Sequence, residues 1–207
     1  KGFTQSTEHM DMVTLLELIE HFYNRIIKTT EAHKGIVSQL LGDGAMLIFA
    51  SQSSSSHLQS QTQYIIHRAV SCVLQLEKEI AKLGLDMRSG IHVGTVLLGT
   101  FGSDRLVYTA IGDVVNTAAR IEQATRGFGV QNLISQQVKE FIDQNVFECG
   151  FIKAKGKTEL LKVYTVTEQQ FMSQQVIDMI NRGQYEELVD HDSEWIQREL
   201  VKKFFVM

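Results

Sequence analysis

The sequence contains no proline, only two cysteines and no long apolar run. Cys72 and Cys149 are too few for a disulfide framework and favour a reducing compartment, so we expect a cytoplasmic protein. No stretch of about 18 apolar residues occurs, and no transmembrane helix is predicted. The 20 basic and 24 acidic side chains give a net charge of −4, which argues against a broad nucleic-acid-binding surface. These absences exclude a secreted mini-protein and a membrane protein.

What is present is typical of a globular domain with an appended segment. The 207 residues, 43% of them apolar, can bury a sizeable core. Residues 167–207 hold eight acidic and four basic side chains, whereas residues 1–166 are balanced. We therefore predict a main domain over residues 1–166 and an acidic, helical extension over residues 167–207. The sequence begins at Lys1 without an initiator methionine or a signal peptide, and it is expected to start partway through a longer gene product.

Apolar periodicity predicts two long helices, over residues 11–33 and 64–83, separated by a serine-rich loop over residues 51–63. Shorter elements follow from the same patterns: helices over residues 114–125 and 136–145, and strands over residues 107–111 and 133–135. Three hairpins are also predicted: residues 36–41 with 45–50, 87–93 with 95–98, and 147–152 with 160–166. Strands mixed with long helices predict an α+β fold, with the helices packed on one face of a mostly antiparallel sheet.

Three features could carry chemistry, and each has a simpler explanation. Asp43 lies between two glycines, which is good turn chemistry but also suits a ligand of a hard cation. Asn116 and Arg120 share one helix face, either as solvated surface or as donors aimed at a phosphate. Lys155 precedes Gly156 in a hairpin loop that is either a solvated turn or a phosphate clamp. Taken singly, these residues leave both explanations open.

Their order along the chain resembles the catalytic domains of the class III nucleotide cyclases, the adenylate and guanylate cyclases, and most closely the bacterial type. The matching segments are residues 2–4, 41–46, 89–94, 101–103, 108–120 and 155–157. Together they span residues 1–166, and the segment over residues 108–120 is highly specific. The resemblance implies a ferredoxin-like class III cyclase homology domain that forms a head-to-tail dimer, as a homodimer or a heterodimer of cyclase domains. It also implies an upstream regulatory domain.

The resemblance further implies an enzyme that converts ATP to cyclic AMP with two Mg²⁺ or Mn²⁺ ions per site. Asp43 matches the second of two metal-binding aspartates. Asn116 matches the residue that orients the ribose, and Arg120 the residue that stabilises the α-phosphate. In the family, the positions of Asp43 and Gln39 serve opposite sites of the dimer.

The remaining implied contacts are to the phosphates. Lys155 matches the lysine on the terminal phosphates, and the backbone amides around Phe3 and Thr4 would hold the triphosphate at a helix start.

The base-reading positions depart from the family pattern. Gln39 stands where adenylate cyclases have lysine and guanylate cyclases usually have glutamate, and Thr109 resembles a bacterial subgroup at the second position. Both side chains donate and accept hydrogen bonds, so their chemistry alone leaves ATP and GTP open. Thr109, which resembles the bacterial adenylate cyclases, favours ATP. The lack of the guanylate cyclase glutamate at position 39 favours ATP as well.

A second departure concerns the first metal aspartate and its central strand, which the family places immediately before the segment that begins at Lys1. Residues 201–207 have strand character and are predicted either to occupy the central-strand position or to continue a surface helix. Without the first aspartate, a non-catalytic regulatory cyclase-like domain is the alternative to an active enzyme.

Overall fold

The computed structural model describes residues 10–50, 58–101, 107–142, 145–153 and 160–167. These residues form four helices and eight strands. The helices are α1 (Met12–Ala32), α2 (Leu58–Ala81), α3 (Asp113–Phe128) and α4 (Gln136–Lys139). The strands are β1 (Ile36–Leu40), β2 (Ala45–Ile48), β3 (Ser89–Ile91), β4 (Leu97–Phe101), β5 (Val107–Ile111), β6 (Asn132–Ser135), β7 (Val146–Lys153) and β8 (Leu160–Val166). The predicted α+β class is confirmed.

The chain divides into two compact units, and the first comprises Lys1–Met87 with Leu98–Ala110. In this unit α1 packs against α2 and against β1. Asp11 begins α1 by accepting hydrogen bonds from the amides of Val13 and Thr14, which satisfies two of the free donors at the helix start. The buried face of α1 includes Phe22 and Ile26. Burial of this apolar stripe, rather than intrinsic propensity, provides most of the stability of such a helix.

The second unit comprises Arg88–Leu97 with Ile111–Met207. Its sheet has the strand order β3-β6-β8-β7, in which β3 and β6 are parallel and the other neighbours are antiparallel. Helix α3 packs on β3, β6 and β7. The core joins side chains of this helix to side chains of three strands: Ile121, Ala124, Phe128, Leu133, Cys149, Ile152 and Val163. The packing of α3 on this sheet therefore determines which face of the helix is buried and which is exposed.

The predicted hairpin over residues 87–98 is wrong. Strand β3 pairs in parallel with β6, whereas β4 pairs with β5 in a separate two-stranded sheet. A glycine between two short apolar runs is a local signal for a hairpin, but a parallel partner lies far along the chain and leaves no local signal. The other two predicted hairpins are confirmed as β1 with β2 and β7 with β8.

Two helix boundaries differ from prediction by six residues, more than any other. Helix α2 begins at Leu58, inside the segment predicted as a loop, because glutamine and leucine are good helix formers that the serine-rich context concealed. Helix α4 ends at Lys139 instead of residue 145. Asn145 has a φ of 58°, a left-handed conformation that a helix does not contain.

A charged contact joins the two long helices. The Arg25 guanidinium donates to the Glu79 carboxylate, which also accepts from Lys82. Hydrogen bonding from Lys82, and then from Arg25, lowers the pKa of Glu79. A carboxyl whose pKa is lower in the folded state stabilises the fold above its unfolded pKa, and this contribution is lost as the pH falls through the folded pKa. Both side chains remain partly exposed to solvent, so the stabilisation from this contact is small.

We expect Gly35→Ala to destabilise the protein by about 1–3 kcal/mol, the usual cost of overpacking. A β-carbon at this buried glycine would meet the Phe49 ring at 2.6 Å and the Thr30 methyl group at 2.9 Å. The measurement is urea unfolding followed by circular dichroism. Gly99→Ala is the matched control, because its β-carbon would make only ordinary contacts at 3.8 Å. Equal stability of the two variants would contradict the packing argument.

The structure also bears on the two predictions made from the low cysteine content and from the lack of a long apolar run. Both cysteines are free and buried, and burial raises the pKa of Cys72 to about 11 and that of Cys149 to about 12. Neither is therefore a thiolate nucleophile at neutral pH. Among the described residues, no helix has the length and apolar character needed to cross a membrane. Beyond Thr167, the predicted extension, including residues 201–207, lies outside the described residues.

Candidate functional site

The turn between β1 and β2 presents Asp43 to solvent. The amide of Leu41 donates to the carbonyl of Gly44 at 2.7 Å, and the amide of Gly44 donates back at 3.3 Å. Gly42 has a φ of +67°, a left-handed conformation that glycine adopts without steric cost. The Asp43 side chain is exposed and has no hydrogen-bond or ion-pair partner among the described residues. An unneutralised carboxylate on a tight turn is suited to a hard cation.

Strand β1 also carries Gln39, which contacts β5. The Gln39 amide nitrogen donates to the Thr109 hydroxyl at 3.4 Å, across 70 residues of sequence. A bulge at Ser38 interrupts the β1–β2 register, because Val37 pairs with Leu47 and Gln39 pairs with Met46. The Ser38 hydroxyl donates to the Tyr108 carbonyl at 3.0 Å. Two consecutive side chains of β1 therefore reach consecutive residues of β5, which a regular strand with alternating faces would not allow.

Helix α3 carries Asn116 and Arg120 one turn apart. Its buried face is formed by Thr117, Ile121 and Phe128, together with smaller side chains. Asn116 is exposed and Arg120 half-buried, and neither has a hydrogen-bond or ion-pair partner in the part of the chain that the structure describes. A half-buried guanidinium without a protein acceptor is suited to an anionic ligand, because its planar donors match phosphate oxygens.

The predicted site residues thus fall into two groups. Gln39, Asp43 and Thr109 belong to the first unit, and Asn116 and Arg120 belong to the second. The structure joins Gln39 to Thr109 directly, and their role in reading a base stays a prediction.

Phe3, Thr4 and Lys155 lie outside the described residues, so their predicted phosphate contacts stay predictions.

The described residues do not include a complete set of metal ligands. No group of three or more histidine, cysteine, aspartate or glutamate side chains that could hold a metal occurs among them. Asp43 offers one carboxylate. This fits Mg²⁺, which proteins often bind through one or two carboxylates together with substrate phosphates and water.

Two contacts at this site were missed by the sequence analysis. The Tyr23 hydroxyl donates to the Gly42 carbonyl at 2.6 Å, and the Ser38 hydroxyl donates to the Tyr108 carbonyl. Tyr23 falls within the apolar periodicity that predicts a helix over residues 11–33. Its hydroxyl was the available signal, since a tyrosine on such a stripe often finds a polar partner.

The chain is similar to known proteins along most of its length. Residues 1–181 match the family model for the adenylate and guanylate cyclase catalytic domain. An adenylate cyclase from Anabaena cylindrica is 29% identical over 188 residues, covering 80% of this chain and 35% of that protein. Adenylate cyclase 1 from Rhizobium meliloti is 28% identical over 179 residues, covering 79% and 26%. The chain therefore spans about a third or less of the length of these relatives.

Guanylate cyclases are also among the relatives. The guanylate cyclase soluble subunit beta-2 from Rattus norvegicus is 23% identical over 168 residues, covering 79% of this chain and 24% of that protein.

Comparison with solved structures supports the fold assignment. The adenylyl cyclase CyaB from P. aeruginosa superimposes with a TM-score of 0.70 at 26% identity, covering 82% of this chain and 90% of that one. The predicted class III cyclase homology fold is therefore confirmed. With the family match over residues 1–181, these similarities establish that the chain belongs to the family of adenylate and guanylate cyclase catalytic domains.

Proposed function

We propose that this chain is the catalytic domain of an adenylate cyclase, a phosphorus–oxygen lyase that converts ATP to 3′,5′-cyclic AMP and pyrophosphate. The observation that carries the proposal is the pair of Asn116 and Arg120 on α3. Both lack a partner among the described residues, and both lie in the family's most specific segment. A domain that served only as a regulatory partner would have no need of these two side chains.

The proposed reaction is an in-line displacement at the α-phosphate. The ribose 3′-oxygen loses its proton to solvent and forms a bond to the α-phosphorus, while the bond from that phosphorus to the oxygen bridging to the β-phosphate breaks. Pyrophosphate leaves with that electron pair. Arg120 would donate hydrogen bonds to the α-phosphate oxygens, where negative charge accumulates in the transition state. Asn116 would orient the ribose and so shorten the path of attack.

Asp43 would hold Mg²⁺ or Mn²⁺ together with the nucleotide phosphates, and two ions per site are expected. When bound, the metal supplies charge neutralisation on the phosphates and acidifies the 3′-hydroxyl. Lys155 and the amides around Phe3 and Thr4 would complete the binding of the triphosphate. The role of Asp43 is supported by its exposed, unpartnered carboxylate.

Preference for ATP rests on Gln39 and Thr109. Their hydrogen bond at 3.4 Å supports a shared role in reading the base. Position 39 carries an amide and not a carboxylate. A carboxylate is the group that would accept hydrogen bonds from the two N–H groups of guanine. The adenylate cyclases of Anabaena and Rhizobium among the relatives support the same preference.

The active form is proposed to be a head-to-tail dimer, either of two identical chains or of two cyclase domains. In it, Asn116 and Arg120 of one chain would face Asp43 of the other. Cytoplasmic location and an upstream regulatory domain belong to the same proposal.

The direct test is to incubate the purified whole gene product with ATP or GTP and Mn²⁺, and to separate the products by chromatography. The proposal is supported if cyclic AMP forms from ATP faster than cyclic GMP forms from GTP at equal nucleotide concentration. The reverse preference would make the domain a guanylate cyclase. No cyclic product from either nucleotide would leave the regulatory cyclase-like domain as the better account.

We expect Gln39→Lys to raise the ratio of kcat/KM for ATP to kcat/KM for GTP by about tenfold, the effect of one changed hydrogen bond. A lysine ammonium only donates, which suits the N1 acceptor of adenine and opposes the N1–H donor of guanine. Competition between the two nucleotides in one reaction measures the ratio. Gln39→Glu is the reciprocal control and should shift the ratio towards GTP. An unchanged ratio in both variants would exclude Gln39 as the base reader.

A further inference from the structure

We propose that Tyr23 is a positioning residue that holds the peptide between Gly42 and Asp43 and thereby orients the Asp43 carboxylate for a divalent cation. The inference rests on the proposed function only in taking Asp43 as a metal ligand. The geometry that carries it is the hydrogen bond of 2.6 Å from the Tyr23 hydroxyl to the Gly42 carbonyl.

Few contacts within the turn restrain its backbone, so a contact from outside the turn can limit its motion. Its two backbone hydrogen bonds join Leu41 and Gly44, and the peptide between Gly42 and Asp43 lies inside this closed ring. Among the described residues, no atom lies within 4 Å of the position that a β-carbon at Gly42 would occupy, so that side of the turn is open. Two glycines in four residues also give this segment large conformational freedom.

The Tyr23 contact acts on the part of the turn that determines where Asp43 points. The carbonyl of Gly42 and the amide of Asp43 belong to one planar peptide unit. A hydrogen bond to that carbonyl therefore fixes the plane from which the Asp43 α-carbon projects. The Asp43 side chain has no hydrogen-bond partner among the described residues, and Tyr23 is the side chain among them that restrains the peptide unit preceding Asp43.

Tyr23 can serve as a restraint because its own position is fixed by the helix. It is half-buried, and its ring lies 5.7 Å from that of Phe22, which is 5% exposed. One turn later, Ile26 is completely buried. The ion pair between Arg25 and Glu79 joins the same stretch of α1 to α2. The packing of α1 therefore fixes the position of the Tyr23 hydroxyl beside the turn.

The test compares Tyr23→Phe with the wild-type protein and with Tyr64→Phe in the whole gene product. Tyr23→Phe keeps the ring and removes only the hydroxyl. Tyr64→Phe is the matched control: it removes a hydroxyl from α2 that accepts from the Lys34 ammonium at 3.4 Å. Thermal unfolding of both variants verifies that the fold is retained.

The first readout is amide hydrogen exchange in the metal-free protein, which does not depend on activity. We expect the Leu41 and Gly44 amides to exchange about fivefold faster in Tyr23→Phe, the factor that one net hydrogen bond contributes. Tyr64→Phe should exchange there as the wild type does. Unchanged exchange in Tyr23→Phe, or an equal increase in both variants, would overturn the proposal.

The second readout is the affinity for Mn²⁺ in the presence of 3′-deoxy-ATP, which cannot cyclise, measured by electron paramagnetic resonance. We expect about fivefold weaker binding in Tyr23→Phe alone, and recovery of its turnover when Mn²⁺ is raised accordingly. Faster exchange with unchanged Mn²⁺ affinity would also overturn the role assigned to Tyr23. Absence of cyclase activity in the wild type would instead contradict the proposed function, while the exchange and affinity measurements still decide the role of Tyr23.

Discussion

Arg120→Ala is expected to lower kcat by about 10²–10³-fold, the usual cost of removing one preorganised donor from a developing oxyanion. KM for the nucleotide should change little, because the guanidinium would interact chiefly with charge that forms in the transition state. The half-buried position of Arg120 on α3 strengthens the effect, since partial exclusion of water increases the electrostatic interaction. Steady-state kinetics at saturating Mn²⁺ measures both constants.

Two companion variants separate this role from a general loss of positive charge. Arg126→Ala removes an exposed arginine from the last turn of the same helix, and its kcat should remain near that of the wild type. Arg120→Lys keeps the charge but loses the planar donors, so it should recover only part of the activity. A rise in KM with unchanged kcat in Arg120→Ala would show that the residue binds the ground state instead.

Asp43→Asn is expected to reduce turnover by about 10³-fold, because metal-ion stabilisation of phosphate charge is worth several kcal/mol and each 1.36 kcal/mol is a factor of ten. The amide retains the size of the side chain but loses the negative charge that attracts a hard cation. The exposed position of Asp43 means that the substitution should leave the free energy of unfolding within about 0.5 kcal/mol of the wild-type value. Product formation over a series of Mn²⁺ concentrations is the measurement.

The matched control for this prediction is Asp86→Asn, which removes the charge of another exposed aspartate of the first unit. Its activity and its dependence on Mn²⁺ should resemble those of the wild type. If Asp43→Asn retained full activity at every Mn²⁺ concentration, Asp43 could not be a metal ligand, and the positioning of its turn would have no catalytic meaning.

Local patterns were sufficient for much of the fold. The apolar stripe of α1 and the turn at Gly42 predicted a helix and a hairpin whose ends agree with the structure within two residues. Both features depend on residues that are close in sequence, so their signals lie within a single window. The same is true of the position of Asn116 and Arg120 on one face of α3, which follows from helical spacing alone.

The sequence by itself was therefore sufficient to predict the α+β class, the family and the candidate site residues, because each depends on local periodicity or on a contiguous motif. Only the tertiary structure decided the partner of β3, the contact of Gln39 with Thr109 and the hydrogen bond from Tyr23 to Gly42. These contacts join residues 19 to 70 positions apart. They depend on how helices and strands pack, which no window of neighbouring residues contains.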